Sequence, residues 1–375
     1  MVAVNTQSTQ LVGPNAPNWG GSRLSKTNRA DNQNGRSQLS IPESRKRPLT
    51  DCDGISLRKE VRDLDHVNID ENRAISWDLA TDRWRDYIRD KEDVQSVFEN
   101  LAGDRIQGSK PHRFHSEYAD KQYAKLKDLE RGISEAYGKR LHTAMLTFTA
   151  SSTDDSGNPL PPVDHLDGLL ESWDAIRRSL DRVLDENRYE RLAILEPHKS
   201  GYIHIHMAVF VDGKVTSTQF EPVIESHVNN CDLAGWTAHD LDKDSTISVR
   251  HAGADRQPGY NHALAEGIEH DSDTISELAI YLAEYLGTYG DDPLDAPEHL
   301  QAANSVLWAT NRQRWRPSNG AQQYMATDPR DPDSDWQLVG IETNDEFIPC
   351  DNTGGGIDTF VTGPAGPPDP PPTDH

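Results

Sequence analysis

Lysine is scarce in this chain: only 12 of its 375 residues, and none after Lys243. Basic residues total 38 against 62 acidic ones, for a formal net charge of −24. Cysteine is nearly absent too. Cys52, Cys231 and Cys350 stand far apart and no CxxC pair exists, which excludes a zinc knuckle or a disulfide framework and fits a reducing cytoplasm. No apolar run approaches the length of a membrane span, and the N-terminus has no apolar core of signal-peptide length. The chain therefore reads as cytoplasmic, with no membrane partner. There is no GxxxxGK[ST] segment, so a fused P-loop motor is excluded.

The acidity admits two readings. Phosphate contacts supply much of the affinity of nucleic-acid binders, so such proteins are expected to be basic. An excess of acid then argues against nucleic acid as a partner. Alternatively, the protein works in very high salt, where acidic surfaces stay hydrated. Arginine outnumbers lysine 26 to 12, aspartate is abundant and hydrophobic residues make up only 34%. That pattern resembles the composition of haloarchaeal proteins and favours the second reading. In molar salt the Debye length is about 3 Å, so repulsion between an acidic surface and DNA is nearly abolished.

The most informative segment runs from Glu196 to Phe210, EPHKSGYIHIHMAVF. Its apolar alternation predicts a strand, in which side chains repeat every two residues. His204 and His206 then share a face and can share a metal ion. Ser200-Gly201 marks a turn, and a hairpin would bring the Glu196 carboxylate back to that face. Two imidazoles and a carboxylate leave open positions on a divalent ion, as metal-assisted phosphate chemistry requires. Taken alone, such a histidine pair also fits packing or surface residues.

Two other segments keep it company. Residues 141–149, with Leu146-Thr147-Phe148-Thr149, read as a strand. Residues 272–288 read as a helix ending near Gly287. On that helix Glu277, Tyr281 and Tyr285 form one polar stripe, since positions four apart share a face; half-buried packing would account for the tyrosines equally.

In this order the three segments resemble the HUH endonuclease superfamily, and within it the rolling-circle replication initiators of plasmids and small viruses. Relaxases place the tyrosine before the histidine pair; here it follows, as in the initiators. The resemblance spans residues from about 141 to 290. It implies an α+β fold, an antiparallel central sheet with helices in a ferredoxin-like palm. It implies that His204, His206 and Glu196 hold Mg²⁺ or Mn²⁺ and that Tyr281 is the nucleophile. Glu277 would act as base or water activator, in the plasmid-type arrangement. Tyr285 leaves a two-tyrosine mechanism open. The substrate would be single-stranded or locally melted origin DNA, with helicase and polymerase supplied by the host. One departure is Glu284, where many initiators carry lysine. The same residues leave room for an HUH-type transposase, an HxH metal hydrolase without nicking activity, or a DNA-binding regulator.

Composition divides the chain. Residues 1–55 are rich in Ser, Asn, Gly, Pro and Gln and read as disordered, with Arg45-Lys46-Arg47 as a solvated charge run. Residues 56–140 read as a helical accessory region, with helices at 74–100 and 117–139. That region holds 17 of the 38 basic residues. Its basic residues interleave with Trp77, Trp84, Tyr87, Phe114, Tyr118 and Tyr123, a pattern that serves either DNA contact or packing on a catalytic domain. Residues 141–330 form the expected catalytic domain: strand 141–149, helix 164–187, strands 190–196 and 202–211, helix 217–229, strand 246–250 and helix 272–288. Helices are expected on one side of its sheet. Arg312, Arg314, Trp315, Arg316, Asn319 and Gln322 suit single-stranded DNA through phosphate pairing and stacking. Residues 331–375 read as an extension with a disordered Pro-rich tail.

Overall fold

The structure, a computed structural model, describes residues 43–52, 55–62, 75–92, 94–109, 112–243, 245–253, 292–325, 336–343 and 346–349. In chain order the strands are β1 (Pro48–Leu49), β2 (Ile75–Ser76), β3 (Gln95–Glu99), β4 (Arg105–Ser109), β5 (Leu141–Phe148), β6 (Arg188–Pro197), β7 (Ile203–Asp212), β8 (Ile247–Arg250), β9 (Trp315–Pro317), β10 (Gln337–Glu342) and β11 (Phe347–Pro349). The helices are α1 (Lys59–Arg62), α2 (Trp77–Glu92), α3 (Ser116–Tyr137), α4 (Pro162–Glu171), α5 (Trp173–Val183), α6 (Ser217–Asn230), α7 (Glu298–Ala309) and α8 (Asn319–Gln322).

The centre is a five-stranded antiparallel sheet in the order β8-β5-β7-β6-β9. From β5 to β8 the chain runs β-α-α-β-β-α-β, and the strands of that unit lie fourth, first, third, second across the sheet. This is the ferredoxin-like arrangement, with two interleaved split βαβ crossovers, and the fold class is α+β. β6 and β7 form the hairpin expected from Ser200-Gly201, in register from Arg188↔Asp212 to Pro197↔Ile203.

Helices cover both faces of this sheet rather than one. Ile203, Ile205, Met207, Val209 and Val211 of β7 join a core with Val163, Leu166 and Leu169 of α4, Ile176 and Leu180 of α5, and Phe220, Val223 and Ile224 of α6. On the other face Ala208 and Phe210 pack with Ile194, Met145 and the α3 residues Leu126, Leu129 and Ile133. β7 is therefore apolar on both faces, as central strands between two helical layers are. His204 and His206 at one end, and Asp212 at the other, interrupt the second face.

Several local expectations change. The helix expected to reach Asn100 ends at Glu92, and Gln95–Glu99 becomes β3. That strand pairs with β4 and with the distant β10, giving a second sheet in the order β11-β10-β3-β4; a partner some 240 residues away leaves no local signal. The single helix expected at 164–187 breaks at Ser172. The Ser172 hydroxyl is buried, 3.2 Å from the Leu169 carbonyl and 2.7 Å from His227 Nδ1. Order also begins before residue 55. Leu49 and Ile55 are buried, and the Arg45 guanidinium is not solvated but lies 4.6 Å from the Trp77 ring centroid. Of the aromatics in the N-terminal region, Trp77 and Trp84 are fully buried, and Phe114 meets Trp84 edge-on.

Candidate metal centre

Three side chains converge where the β6–β7 hairpin turns. Glu196 and His204 are directly opposed across β6 and β7, and His206 is opposed to Ile194. Directly opposed residues share a face, so all three point the same way, beyond the patch that α3 covers. The turn is closed by His198 N–H donating to the Tyr202 carbonyl at 2.7 Å and Gly201 N–H donating to the His198 carbonyl at 2.7 Å. Gly201 sits at φ +89°, and a Cβ there would stand 3.2 Å from the Trp77 ring. Only glycine meets both demands. Trp77 is held by its indole N–H donating to the Ala302 carbonyl at 2.9 Å, and Tyr202 donates to the Leu160 carbonyl at 2.6 Å. α2 and α7 thus buttress the turn that carries the site.

His204 Nε2 and His206 Nε2 lie 2.9 Å apart, and Glu196 Oε2 lies 3.3 Å and 2.7 Å from them. Neighbouring ligands on an ion with bonds near 2.1 Å and right-angle geometry stand about 3.0 Å apart. The triangle matches that spacing. Glu196 Oε2 is buried, and its close contacts are misaligned for hydrogen bonds, leaving it without a partner. A buried carboxylate oxygen of this kind is costly unless a cation receives it. Burial alone would raise the Glu196 carboxyl, but the facing imidazoles outweigh it and hold the group at about 2. Burial also pushes His204 below its ordinary value, with Glu196 opposing. The trio sets one carboxylate oxygen beside two imidazole nitrogens, a donor set that fits a divalent ion. It is a buried Glu/His/His group able to bind metal.

Thr147, read only as part of strand 141–149, acquires a role through register. It is opposed to His206 across β5 and β7, with Oγ1 3.1 Å from His206 Nδ1. A His206 that offers Nε2 to an ion carries its proton on Nδ1 and donates it to Thr147, the usual outer-shell arrangement. β5 is fixed just beyond. Thr149 N–H donates to His239 Nε2 at 3.1 Å, and His227 Nε2 donates to the Thr149 carbonyl at 3.0 Å.

Glu277, Tyr281 and Tyr285 lie outside the described residues. His251 sits at the opposite end of β5, stacked on His142 at 4.1 Å with its Nε2 donating to the Lys139 carbonyl, and does not reach the trio. The Arg/Trp segment is divided. Trp315 packs against the α3-side core, while Arg314 donates to Asn304 of α7 and Arg316 is opposed to Ala193, whose side chain joins the other core.

Residues 46–360 match the model of the family described as "Putative rep protein (DUF1424)". The chain belongs to this family. It is 42% identical over 301 residues to an "Uncharacterized 36 kDa protein" of Halobacterium salinarum, covering 77% of this chain and 89% of that one. It is 38% identical over 321 residues to a protein of the same description from Halobacterium sp. (strain GN101), covering 80% and 92%. No solved structure matches the chain. Membership of the rep family gives the chain a role in replication initiation, with DNA as partner. The source of the relatives agrees with a halophilic composition. Among the described residues no helix is long and apolar enough to cross a membrane.

Proposed function

We propose that this rep-family chain is a metal-dependent, site-specific single-strand DNA endonuclease and strand transferase of the HUH type, which starts rolling-circle replication. The observation that carries the reading is the Glu196/His204/His206 triangle on a ferredoxin-like sheet in a rep-family chain. Those three side chains hold Mg²⁺ or Mn²⁺, and Thr147 orients His206. The ion, when bound, supplies Lewis-acid stabilisation of a non-bridging oxygen of the scissile phosphate.

Tyr281 attacks phosphorus through its phenolic oxygen. A P–O(Tyr) bond forms as the P–O3′ bond breaks, leaving a 5′-phosphotyrosine and a 3′-OH that takes up a proton and primes the host polymerase. A free tyrosine has a pKa near 10, so its proton needs an acceptor. Glu277, which the expected helix would set one turn earlier, would accept it or activate the water that later releases the strand. Because the tyrosyl ester conserves the phosphodiester, rejoining needs no ATP. On the expected helix Tyr285 would follow one turn later, as the alternative nucleophile.

The test is incubation in molar KCl with Mn²⁺ and labelled single strands tiling the DNA that flanks the reading frame, followed by denaturing electrophoresis. Wild type forms a covalent protein–DNA band. Glu196→Gln, His204→Ala, His206→Ala and Tyr281→Phe do not, while their melting curves keep a cooperative transition. Glu277→Ala forms the band and fails to release it. Cleavage without any adduct would replace this reading with that of a metal hydrolase; binding without cleavage would replace it with that of a regulator.

A further inference from the structure

The register of the central sheet sets Thr147, His206, Ile194 and Trp315 opposite one another on β5, β7, β6 and β9. Opposed side chains share a face, so Trp315 stands on the same face as the Glu/His/His trio. It lies two strand spacings from His206, about 10 Å. β9 is the edge strand on that side.

Trp315 differs from the packed tryptophans; Trp236, 48% exposed, is open as well but lies in a turn between α6 and β8 rather than on the sheet. Trp77 packs edge-on to Tyr202 and Trp84 to Phe114; Trp308 meets Tyr87, and the Arg191 guanidinium lies over Trp173. Trp77, Trp84 and Trp308 are buried. Trp315 is only half-buried, against the cluster that holds Ile194, Ala321 and Met325. Among the described residues no ring or cation stacks on it. An indole left partly open beside a phosphate-handling centre is suited to stack on a nucleobase, and such stacking tolerates any base. The arginines that flank it in sequence do not share the role, since Arg314 and Arg316 lie on the opposite face.

We propose that Trp315 is a positioning residue that stacks on a base of the single strand within a few nucleotides of the scissile phosphate, holding the strand across the sheet at the metal centre. This rests on the nicking function proposed above. Base–aromatic stacking of this kind changes affinity by between about 5- and 150-fold.

The experiment is an abasic scan. The full chain in molar KCl is titrated with the labelled strand that wild type binds best. The strand is then replaced by versions carrying one abasic nucleotide at successive positions around the cleaved bond. Trp315→Leu keeps apolar bulk on the cluster and removes the aromatic face; Trp315→Phe keeps a smaller face. The expected result is that one position, when abasic, weakens wild type by about 5- to 150-fold. Trp315→Leu loses that factor on the intact strand and is indifferent to that abasic position. Trp315→Phe retains most of the affinity, and neither variant melts lower than wild type. The inference is overturned if Trp315→Leu binds as wild type does, if its loss multiplies with that of every abasic position, or if binding falls only in step with a lowered melting point. A wild type that forms the covalent band while the scan fails overturns this inference alone. A wild type that neither binds nor cleaves any single strand overturns the nicking function as well.

Discussion

His227 is fully buried where α6 meets the end of β5, and it couples the pH dependence of folding to the strand that carries Thr147. Its Nε2 donates to the Thr149 carbonyl at 3.0 Å and its Nδ1 faces the Ser172 hydroxyl at 2.7 Å. Both contacts are satisfied by the neutral ring. Burial, against the pull of the Thr149 carbonyl, pushes its pKa down to about 4. An unfolded histidine titrates near 6.5. Between about pH 6.5 and 4 the unfolded chain therefore binds a proton that the folded chain does not. Stability contributed by the neutral ring is complete above 6.5, is lost as pH falls through that window, and changes no further below about 4. The separation is worth roughly 3 kcal/mol. His165, also buried and pushed down to about 4, adds a parallel loss in any variant that keeps it. Denaturant unfolding in molar KCl at a series of pH values, for wild type and His227→Gln, isolates the His227 share. Gln keeps a donor toward Thr149 and does not titrate. The variant should be less stable at pH 7.5 but lose roughly 3 kcal/mol less between pH 7 and 4. Identical pH slopes in the two proteins would refute the buried neutral imidazole.

Gly201→Ala meets both a left-handed backbone and the Trp77 ring at 3.2 Å; it should cost about 1–3 kcal/mol of stability in a denaturant melt and loosen Mn²⁺ binding in the same protein. Thr147→Val removes the hydroxyl beside His206 Nδ1 while keeping the shape; equilibrium dialysis should find Mn²⁺ affinity lowered about 10- to 100-fold with the melting point nearly unchanged, and unchanged affinity would remove Thr147 from the centre. With a net charge of −24, the folded chain should lose its cooperative melt on dialysis from molar to about 0.1 M KCl, where the Debye length grows from about 3 to 10 Å. An equally high melting point in dilute buffer would reopen the case against a salt-adapted surface.

The sheet and its hairpin were legible because their signals are local. Ser200-Gly201 announced the turn, and the alternation through His204 and His206 placed both rings on one face before any register was known. What escaped was set by distant partners. Strand β3 begins three residues after α2 ends and pairs with the distant β10. Arg45 resembled a solvated charge in sequence, but a tryptophan 32 positions later takes its guanidinium. The split at Ser172 depends on His227, 55 residues away. Thr147 shows the same limit within the site: its closeness to His206 is a matter of register, which composition and spacing do not encode. The basic residues and aromatics near residues 77–131 fitted DNA contact and helix packing equally in sequence; burial assigns Trp77 and Trp84 to packing.

The proposed reaction cuts one DNA strand by linking it to Tyr281 at a centre built from Glu196, His204 and His206. Mass spectrometry of the proteolysed covalent complex, formed in molar KCl with Mn²⁺, tests it most directly. The expected result is a single nucleotide-bearing peptide with the phosphate on Tyr281, absent from His206→Ala. Phosphate on Tyr285 alone or on another residue, or cleaved DNA with no modified peptide, would contradict it.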